Sequence, residues 1–281
     1  IGATNSFSLL NGGAGAYRMA SNNYYLGHAR ILTLMGLSID PTDDPVLDAT
    51  KAPAATGNTL RSYILNANGA WLYQIYAMMG DANQVRSDYG LPANSSVGLA
   101  SGGLPPEGML YGESYATLLG QLLALQTAGF NSQTLSGPQI KLITAPVWDR
   151  FVNAYLASIT PTPSVPASAS WLGATYVLDV FGDVLRSWVC PDLMQPFALL
   201  GLLNQTQNKT SNLNACRWWI TNGVQGTPTY NESNPWTWGC VQSVLYYMLL
   251  DPSAPTATDP RPSLPLNFMD PAAGRIIAHS S

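Results

Sequence analysis

The sequence predicts a mainly α-helical protein, and three observations lead to that prediction. Apolar residues recur with a period near 3.6 along most of the chain, whereas strict alternation is scarce before the C-terminal end. Short turns rich in Gly, Pro, Asn and Asp separate the periodic stretches. The stretches are long enough for helices and offer no strands to pack against, so helices must pack on helices. We therefore expect helical hairpins that form an incomplete (α/α) toroid, with a helical bundle as the alternative.

The periodic stretches set the expected helices. In the first, a stripe of Leu and other apolar residues precedes Gly36, a helix stop; the stripe is Leu26, Ile31, Leu32, Leu34 and Met35. The expected helices are Asn23–Gly36, Thr59–Met79, Tyr111–Ala128, Ser136–Ile159 with a break near Pro146, Ser170–Trp188, Leu193–Leu203, Leu213–Asn222 and Trp236–Leu250.

The C-terminal part of the chain changes character. Residues 251–266 contain five prolines and no periodicity, which is typical of a linker. The tail that follows has the start of a β pattern, but it is too short to build a sheet by itself. We expect a toroid domain over residues 1–250, a Pro-rich linker over 251–266, and the start of a β-sandwich domain over 267–281.

Composition excludes several classes of function. The chain has 281 residues, of which only 10% are charged, far below the roughly 25% of an average soluble protein. Uncharged polar residues must therefore cover the surface, and we expect a secreted or periplasmic protein. Twelve basic and sixteen acidic residues give a net charge of −4, so no basic footprint for nucleic acid is present. No apolar run reaches the roughly 18 residues of a membrane span, and no membrane insertion is expected.

The three cysteines do not have the spacing of a metal site. No Cys-x-x-Cys pair or Cys-His cluster occurs, so no metal ligands are predicted. At most one disulfide forms within the chain, and we expect it between Cys216 and Cys240, which lie in a Trp-rich stretch. Cys190 is then an unpaired buried thiol. No cofactor is predicted, although the acidic chain leaves a structural or catalytic Ca²⁺ open.

Two polar patches lie on the first two expected helices. His28, one of only two histidines, titrates near neutrality and is a candidate general base; the alternative is a structural histidine. Asn22 and Asn23 before it are also suited to cap the helix. The second patch sets amides into an otherwise apolar helix, where Asn is locally unfavourable. The members of this patch are Arg61, Asn66, Asn68 and Trp71. Either they bind a carboxylate or hydroxyl of a ligand, with the Trp71 indole stacked on a sugar, or they mark a kink in the helix.

A third patch occupies the start of the expected helix Tyr111–Ala128. Glu107 and Glu113 are two of the chain's three glutamates. Tyr111 and Tyr115 lie four residues apart and share a face if the helix already includes Tyr111. A tyrosine removes a proton from carbon only if nearby positive charge or hydrogen-bond donors lower its pKa from about 10. Packing tyrosines and glutamates that compensate the helix dipole are the structural alternative.

These patches resemble segments of the heparinase II/III-like and alginate-lyase-like polysaccharide lyases. The run Pro105–Tyr115 is similar to their Glu-Gly-x-x-Tyr segment, and Asn66–Trp71 is similar to their Asn-Asn-His-Gly-x-Trp segment. Phe181-Gly182-Asp183 resembles a Gly-Asp element after the tyrosine helix. The resemblance implies a toroid followed by an antiparallel β-sandwich that would begin at Phe268.

The resemblance also implies an activity, the β-elimination of a uronate-containing polysaccharide or oligosaccharide. By motif, Asn66 would bind the uronate carboxylate and Tyr111 would protonate the leaving oxygen, with Arg61, Trp71, Glu107 and Tyr115 completing the substrate site. Asn68 stands where the family has histidine, and an amide cannot take a proton at neutral pH. Either Tyr111 performs both proton transfers, or His28 supplies the missing base, or the activity is lost or different.

Two other functions fit the same residues. A glycoside hydrolase on a toroid would pair Glu107 or Glu113 with Asp149 or Asp183, since that chemistry needs two carboxylates. A glycan-binding or surface-assembly protein would use the same amides and aromatic residues without turnover. The products discriminate the enzymes, because only elimination creates a double bond.

Overall fold

The fold is mainly helical, as the periodicity predicts. The computed structural model describes residues 20–44, 59, 71–164, 176–179, 181–182, 193–207, 209–223 and 256–279. Its α-helices are α1 (Asn23–Ser38), α2 (71–79), α3 (Ala82–Tyr89), α4 (Ser114–Thr127), α5 (Gln133–Ser136), α6 (Val147–Ala157), α7 (Met194–Thr206) and α8 (Thr210–Trp218). Short 3-10 helices lie at Met109–Glu113, Pro138–Thr144 and Arg261–Ser263, and a π-helical turn lies at Trp219–Gly223. The toroidal arrangement stays a prediction.

The chain divides into two compact units. The first comprises Ile1–Ser101 and Thr117–Pro146, and the second comprises Gly102–Ala116 and Val147–Ser281. The division of the chain into a toroid domain, a linker and a β-sandwich domain, with boundaries at residues 250 and 266, stays a prediction. None of the described helices is long and apolar enough to cross a membrane.

Helix α1 of the first unit begins and ends close to the predicted residues, but it buries a different face. The Asn22 side chain caps it by accepting from the Tyr24 backbone N–H at 2.9 Å. Its buried residues are Tyr25, Leu26, Ala29, Thr33 and Gly36. Most of the expected stripe is exposed, since Ile31 is 56% and Met35 49% accessible. The stripe prediction is wrong because the helix is apolar on more than one side.

The predicted helix Thr59–Met79 is described only in part. Residues 71–79 are helical and end before Gly80, as expected. Helix α3 follows after Asp81, whose carboxylate accepts from the N–H groups of Asn83 and Gln84. Gly90 ends α3 with φ of 60°, a left-handed conformation that favours glycine.

Helices α6, α7 and α8 build the core of the second unit around aromatic side chains. Phe197 of α7 stacks on Trp219 at a centroid distance of 4.3 Å. Phe151 and Tyr155 of α6 pack against each other at 4.5 Å, and both also contact Phe197. All four rings are buried. Helix α6 follows the break at Pro146 that the sequence predicts.

One predicted helix is wrong where the structure describes it. Residues 176–179 of the expected helix Ser170–Trp188 are extended and pair with the chain that follows α6. Thr160 N–H donates to Val177 O at 3.1 Å, and Asp179 N–H donates to Ser158 O at 2.7 Å. Backbone pairing with a distant segment overrides the local period here. The expected helix Trp236–Leu250 lies outside the described residues.

Residues 256–266, which we call the strap, contain the short 3-10 turn Arg261–Ser263, are otherwise irregular, and are bound to the second unit. Asn214 of α8 exchanges hydrogen bonds with the Thr258 backbone, at 2.9 Å to its carbonyl and 3.1 Å from its N–H. Arg261 donates to the Thr160 carbonyl at 3.0 Å and lies over the Trp218 ring at 4.6 Å. The prolines prevent a helix, and side chains rather than secondary structure hold the strap in place.

The tail forms a hairpin rather than one strand. Strands β1 (Asn267–Asp270) and β2 (Arg275–Ala278) pair antiparallel, with Met269 opposite Ile276. Asp270 on the inner face is 1% exposed. Its carboxylate accepts from the Leu104 N–H at 3.0 Å and from two N–H groups of the turn at 2.9 Å. This buried acceptor fastens the hairpin to the second unit.

Cys216 corrects the expected disulfide. It is a free thiol on α8, and it is completely buried. The predicted bond to Cys240 is therefore wrong. Cys190 and Cys240 lie outside the described residues.

Candidate functional site

The structure brings together two of the motif segments, the one that precedes Tyr111 and the one that contains Gly182. Gly108 and Gly182 pair as an isolated antiparallel bridge, so the Phe181-Gly182 segment lies against the Glu107-Gly108 segment. Both glycines have positive φ, 134° and 65°. A Cβ on Gly182 would lie 2.3 Å from the Glu107 carbonyl oxygen. Only glycine permits this close backbone approach.

Tyr111 lies on a 3-10 turn rather than on the expected α-helix. The turn Met109–Glu113 precedes α4, which begins at Ser114. Tyr155 of α6 fixes the turn from below, because its hydroxyl donates to the Met109 carbonyl. Gly112 lies directly on that hydroxyl, and a Cβ there would be 1.9 Å from it. The Tyr155 side chain therefore fixes the backbone of the turn that carries Tyr111.

The two tyrosines of this patch have opposite environments. Tyr111 is half-buried, as is Glu107. Tyr115 is 1% exposed and packs against Phe151 and Trp148 at centroid distances of 5.5 and 6.0 Å. Burial raises the pKa of Tyr115 well above its usual value, and the charges of Asp270 and Glu107 raise it further. Tyr115 has no surface for a substrate in this structure, whereas Tyr111 does.

The first unit holds His28 and Trp71. His28 is exposed on α1, and its Nδ1 lies 2.7 Å from the Tyr24 carbonyl oxygen. A carbonyl only accepts, so Nδ1 is the donor of this hydrogen bond. The ring stacks on Trp71 at 5.9 Å, with 20° between the planes. Trp71 itself is 3% exposed, so it supports His28 and α1 rather than offering a broad face to a sugar.

Several predicted site residues cannot be placed. Arg61, Asn66 and Asn68 lie outside the described residues. Glu107, Tyr111 and Tyr115 belong to the second unit, and His28 and Trp71 to the first. The convergence of these residues in one cleft stays a prediction.

The carboxylates of the hydrolase alternative are partly described. Asp149 of α6 binds Lys209 at 3.2 Å and the Asn212 amide at 2.5 Å. Its charge is thus matched by a local cation. Glu113 is half-buried, and Asp183 lies outside the described residues. Within the described part of the chain, no three His, Cys, Asp or Glu side chains are grouped to hold a metal ion.

Two polar clusters were not anticipated from the sequence. Asp88 of α3 is bound by Lys141, Tyr76 and Gln84 in the first unit. Asp259 and Arg261 form a bidentate pair on the strap of the second unit. Partners 53 residues apart leave no sequence signal for the first cluster. The Asp-x-Arg spacing was a signal for the second, but it lies in a stretch whose prolines predict a linker.

Comparison with known proteins gives no assignment. No protein-family model matches the chain, and neither do any curated proteins or solved structures.

Proposed function

We propose that the chain is a polysaccharide lyase that cleaves a uronate-containing glycan by β-elimination, with Tyr111 as the proton-transfer group. One observation carries the proposal: Tyr111 is half-buried on a supported turn, while Tyr115 is sealed in the core. A catalytic phenol must reach the substrate and must also be held in position. Of the two tyrosines in the motif, Tyr111 meets both requirements.

The chemistry assigns Tyr111 one or both proton transfers. A base removes the proton on C5, the C4–O4 bond breaks, a C4–C5 double bond forms, and the departing O4 receives a proton. If Tyr111 starts as phenolate, it takes the C5 proton and returns it to O4, so it ends unchanged. If His28 is the base, its Nε2 takes the C5 proton and Tyr111 supplies the proton to O4.

The remaining site residues supply the electrostatics of the proposal. A proton next to a carboxylate becomes acidic only when donors stabilise the enolate charge that develops. Asn66, Asn68 and Arg61 are the proposed donors to the uronate carboxylate. The low charge content of the chain supports export, and a secreted or periplasmic location suits a glycan substrate.

Replacement of Tyr111 by phenylalanine tests the proposal. With a panel of alginate, heparan sulfate and related uronate polymers, the unsubstituted protein should form products that absorb in the ultraviolet. Tyr111→Phe should lower that rate by about 10²–10⁴-fold, the usual contribution of general acid–base catalysis. Its thermal midpoint should change little, since phenylalanine keeps the ring and only the hydroxyl is removed.

Tyr73→Phe is the matched control, because Tyr73 is also half-buried but has no place in the proposed site. It should retain full activity. Products with a new reducing end but no double bond would instead establish the hydrolase. No turnover on the whole panel would refute the lyase.

Binding without turnover is the second candidate, and Asn68 favours it. The residue that stands at the family's histidine position cannot act as a base. Calorimetry with the same polymers would then show binding, but no product would form. Tyr111→Phe would change the binding affinity alone.

A further inference from the structure

The second unit contains a cleft that the proposed elimination does not use. Its walls are the C-terminal end of α6, the strap and the end of β2. The cleft has a volume of about 250 Å³, close to the lower end of the roughly 300–1,000 Å³ of small-molecule sites. This size suits a single ring or a short chain and excludes a polysaccharide.

The body of the cleft is apolar. Leu156 lies at the end of α6 and Ile159 just after it, and Leu264, Leu266 and prolines lie on the strap. A ligand surface that displaces water from such walls gains free energy in proportion to the apolar area buried. The occupant should therefore have a hydrocarbon ring or chain.

The polar end of the cleft is the Arg261 guanidinium. Its Nε and one terminal nitrogen bind Asp259 at 2.6–3.0 Å, and the other terminal nitrogen donates to the Thr160 carbonyl at 3.0 Å. These bonds use three of its five N–H groups. The nearby Tyr176 side chain takes at most one more. At least one N–H donor remains for an acceptor in the cleft.

Charge decides which acceptor fits. Asp259 also lines the cleft, so the charge of the ion pair is balanced. An anionic ligand would meet the Asp259 carboxylate, and a cationic ligand would meet the guanidinium. The remaining titratable group, His279, is held through Nε2 by the Ala157 carbonyl.

We propose that this cleft binds a small uncharged carbonyl compound, with its hydrocarbon part against Leu156, Ile159 and Leu264 and its oxygen accepting from Arg261. The site goes beyond the proposed elimination and does not depend on Tyr111.

Three compounds with the same six-carbon ring test the assignment. Cyclohexanone, cyclohexanecarboxylate and cyclohexylammonium carry a neutral, an anionic and a cationic polar group. With the full 281-residue chain, saturation-transfer NMR should show binding of the ketone. The two ions should bind at least about tenfold more weakly, because each buries an unmatched charge. Equal or tighter binding of either ion would overturn the proposal.

Filling the cleft locates the binding. Leu264→Trp should abolish the ketone signal, and Leu99→Trp is its control, since Leu99 is 52% exposed and does not line the cleft. If Leu264→Trp fails to fold, Leu266→Trp adds the same bulk at a lining residue that is 54% exposed. A ketone signal that survives in the folded cleft-filling variant would refute the site, as would no signal in the unsubstituted chain.

Discussion

At the scale of single residues, Asp88 shows how the first unit stabilises a carboxylate that is largely shielded from solvent. Its side chain is 8% exposed. It pairs with Lys141 and accepts from the Tyr76 hydroxyl at 2.7 Å and the Gln84 amide at 2.9 Å. Burial alone would raise the pKa of Asp88, but the hydrogen bonds from Lys141, Tyr76 and Gln84 outweigh it and hold the pKa below its usual value. The ionised form is therefore the one that stabilises the fold.

Asp88→Asn should destabilise the protein in a pH-dependent way. At pH 7 we expect the free energy of unfolding to fall by about 1–3 kcal/mol, because Lys141, Tyr76 and Gln84 lose a charged acceptor. A carboxylate whose folded pKa is lowered contributes fully above its unfolded value of about 3.9 and loses that contribution as the pH falls through the folded value. The difference between variant and unsubstituted protein should thus narrow in urea unfolding at pH 3.

Asp43→Asn is the control for this titration, since Asp43 is exposed. It should change stability little at either pH. A deficit in Asp88→Asn that is equally large at pH 7 and pH 3 would contradict the assigned role of the charge.

At the scale of elements, the hairpin depends on one carboxylate. Asp270 binds the Leu104 N–H across 166 residues of sequence and the turn N–H groups of Ala272 and Ala273. Gly102 makes room for it, because a Cβ there would lie 1.7 Å from the Asp270 Oδ1. A two-stranded hairpin is marginal by itself, so this anchor and the buried Ile277 hold it in place.

Asp270→Asn should loosen the hairpin without unfolding the helices. An amide keeps one acceptor oxygen and turns an NH₂ group toward backbone donors, which costs about 1–3 kcal/mol. Hydrogen exchange should accelerate at the Leu104 amide and in β1 and β2, while amides of α7 keep their protection. The exposed Asp43→Asn variant should leave all of these rates unchanged. Unaltered exchange at Leu104 in Asp270→Asn would show that the carboxylate is not the anchor.

The elements also show what the sequence could predict. The cap at Asn22 and the break at Pro146 follow from local chemistry, and the structure confirms them, whereas α1 continues through the predicted stop at Gly36 and ends at Ser38. The buried face of α1 does not follow, because apolar residues on several sides define no single face. The extended residues 176–179 do not follow either, since their partner at Ile159 is remote in sequence.

The Tyr111 turn shows the same limit within the candidate site. The sequence places Tyr111 at a helix start, and a helix would set Tyr111 and Tyr115 on one face. The structure separates them, because Tyr155 binds the Met109 carbonyl and presses on Gly112. This contact spans 46 residues, so no local pattern could reveal it. The motif selects the segment as a candidate, but tertiary packing decides which of its tyrosines is accessible.

At the scale of the whole molecule, buried aromatic and aliphatic side chains rather than charges stabilise each of the two units. Only four ion pairs are found among the described residues. Ion pairs at the surface contribute little to the free energy of unfolding. Added salt should therefore lower the stability less than a substitution that leaves a cavity in the core. Cys216 is a natural probe of such a core. It lies at 0% exposure near Asn204 of α7.

Thiol labelling at Cys216 should report opening of the second unit. In a Cys190→Ser/Cys240→Ser background, Cys216 is the one remaining cysteine. Burial raises its pKa to about 12, so the native thiol is both covered and protonated at pH 8. An aromatic disulfide reagent should therefore react only as fast as the unit opens, and fully in denaturant. Ser263→Cys in the same background, at an exposed residue of the strap, should react at once.

Immediate labelling of Cys216 in the folded protein would show that the α7–α8 core is not closed. Slow labelling that accelerates with urea, in step with the loss of helical circular dichroism, would tie the thiol to cooperative unfolding of the unit.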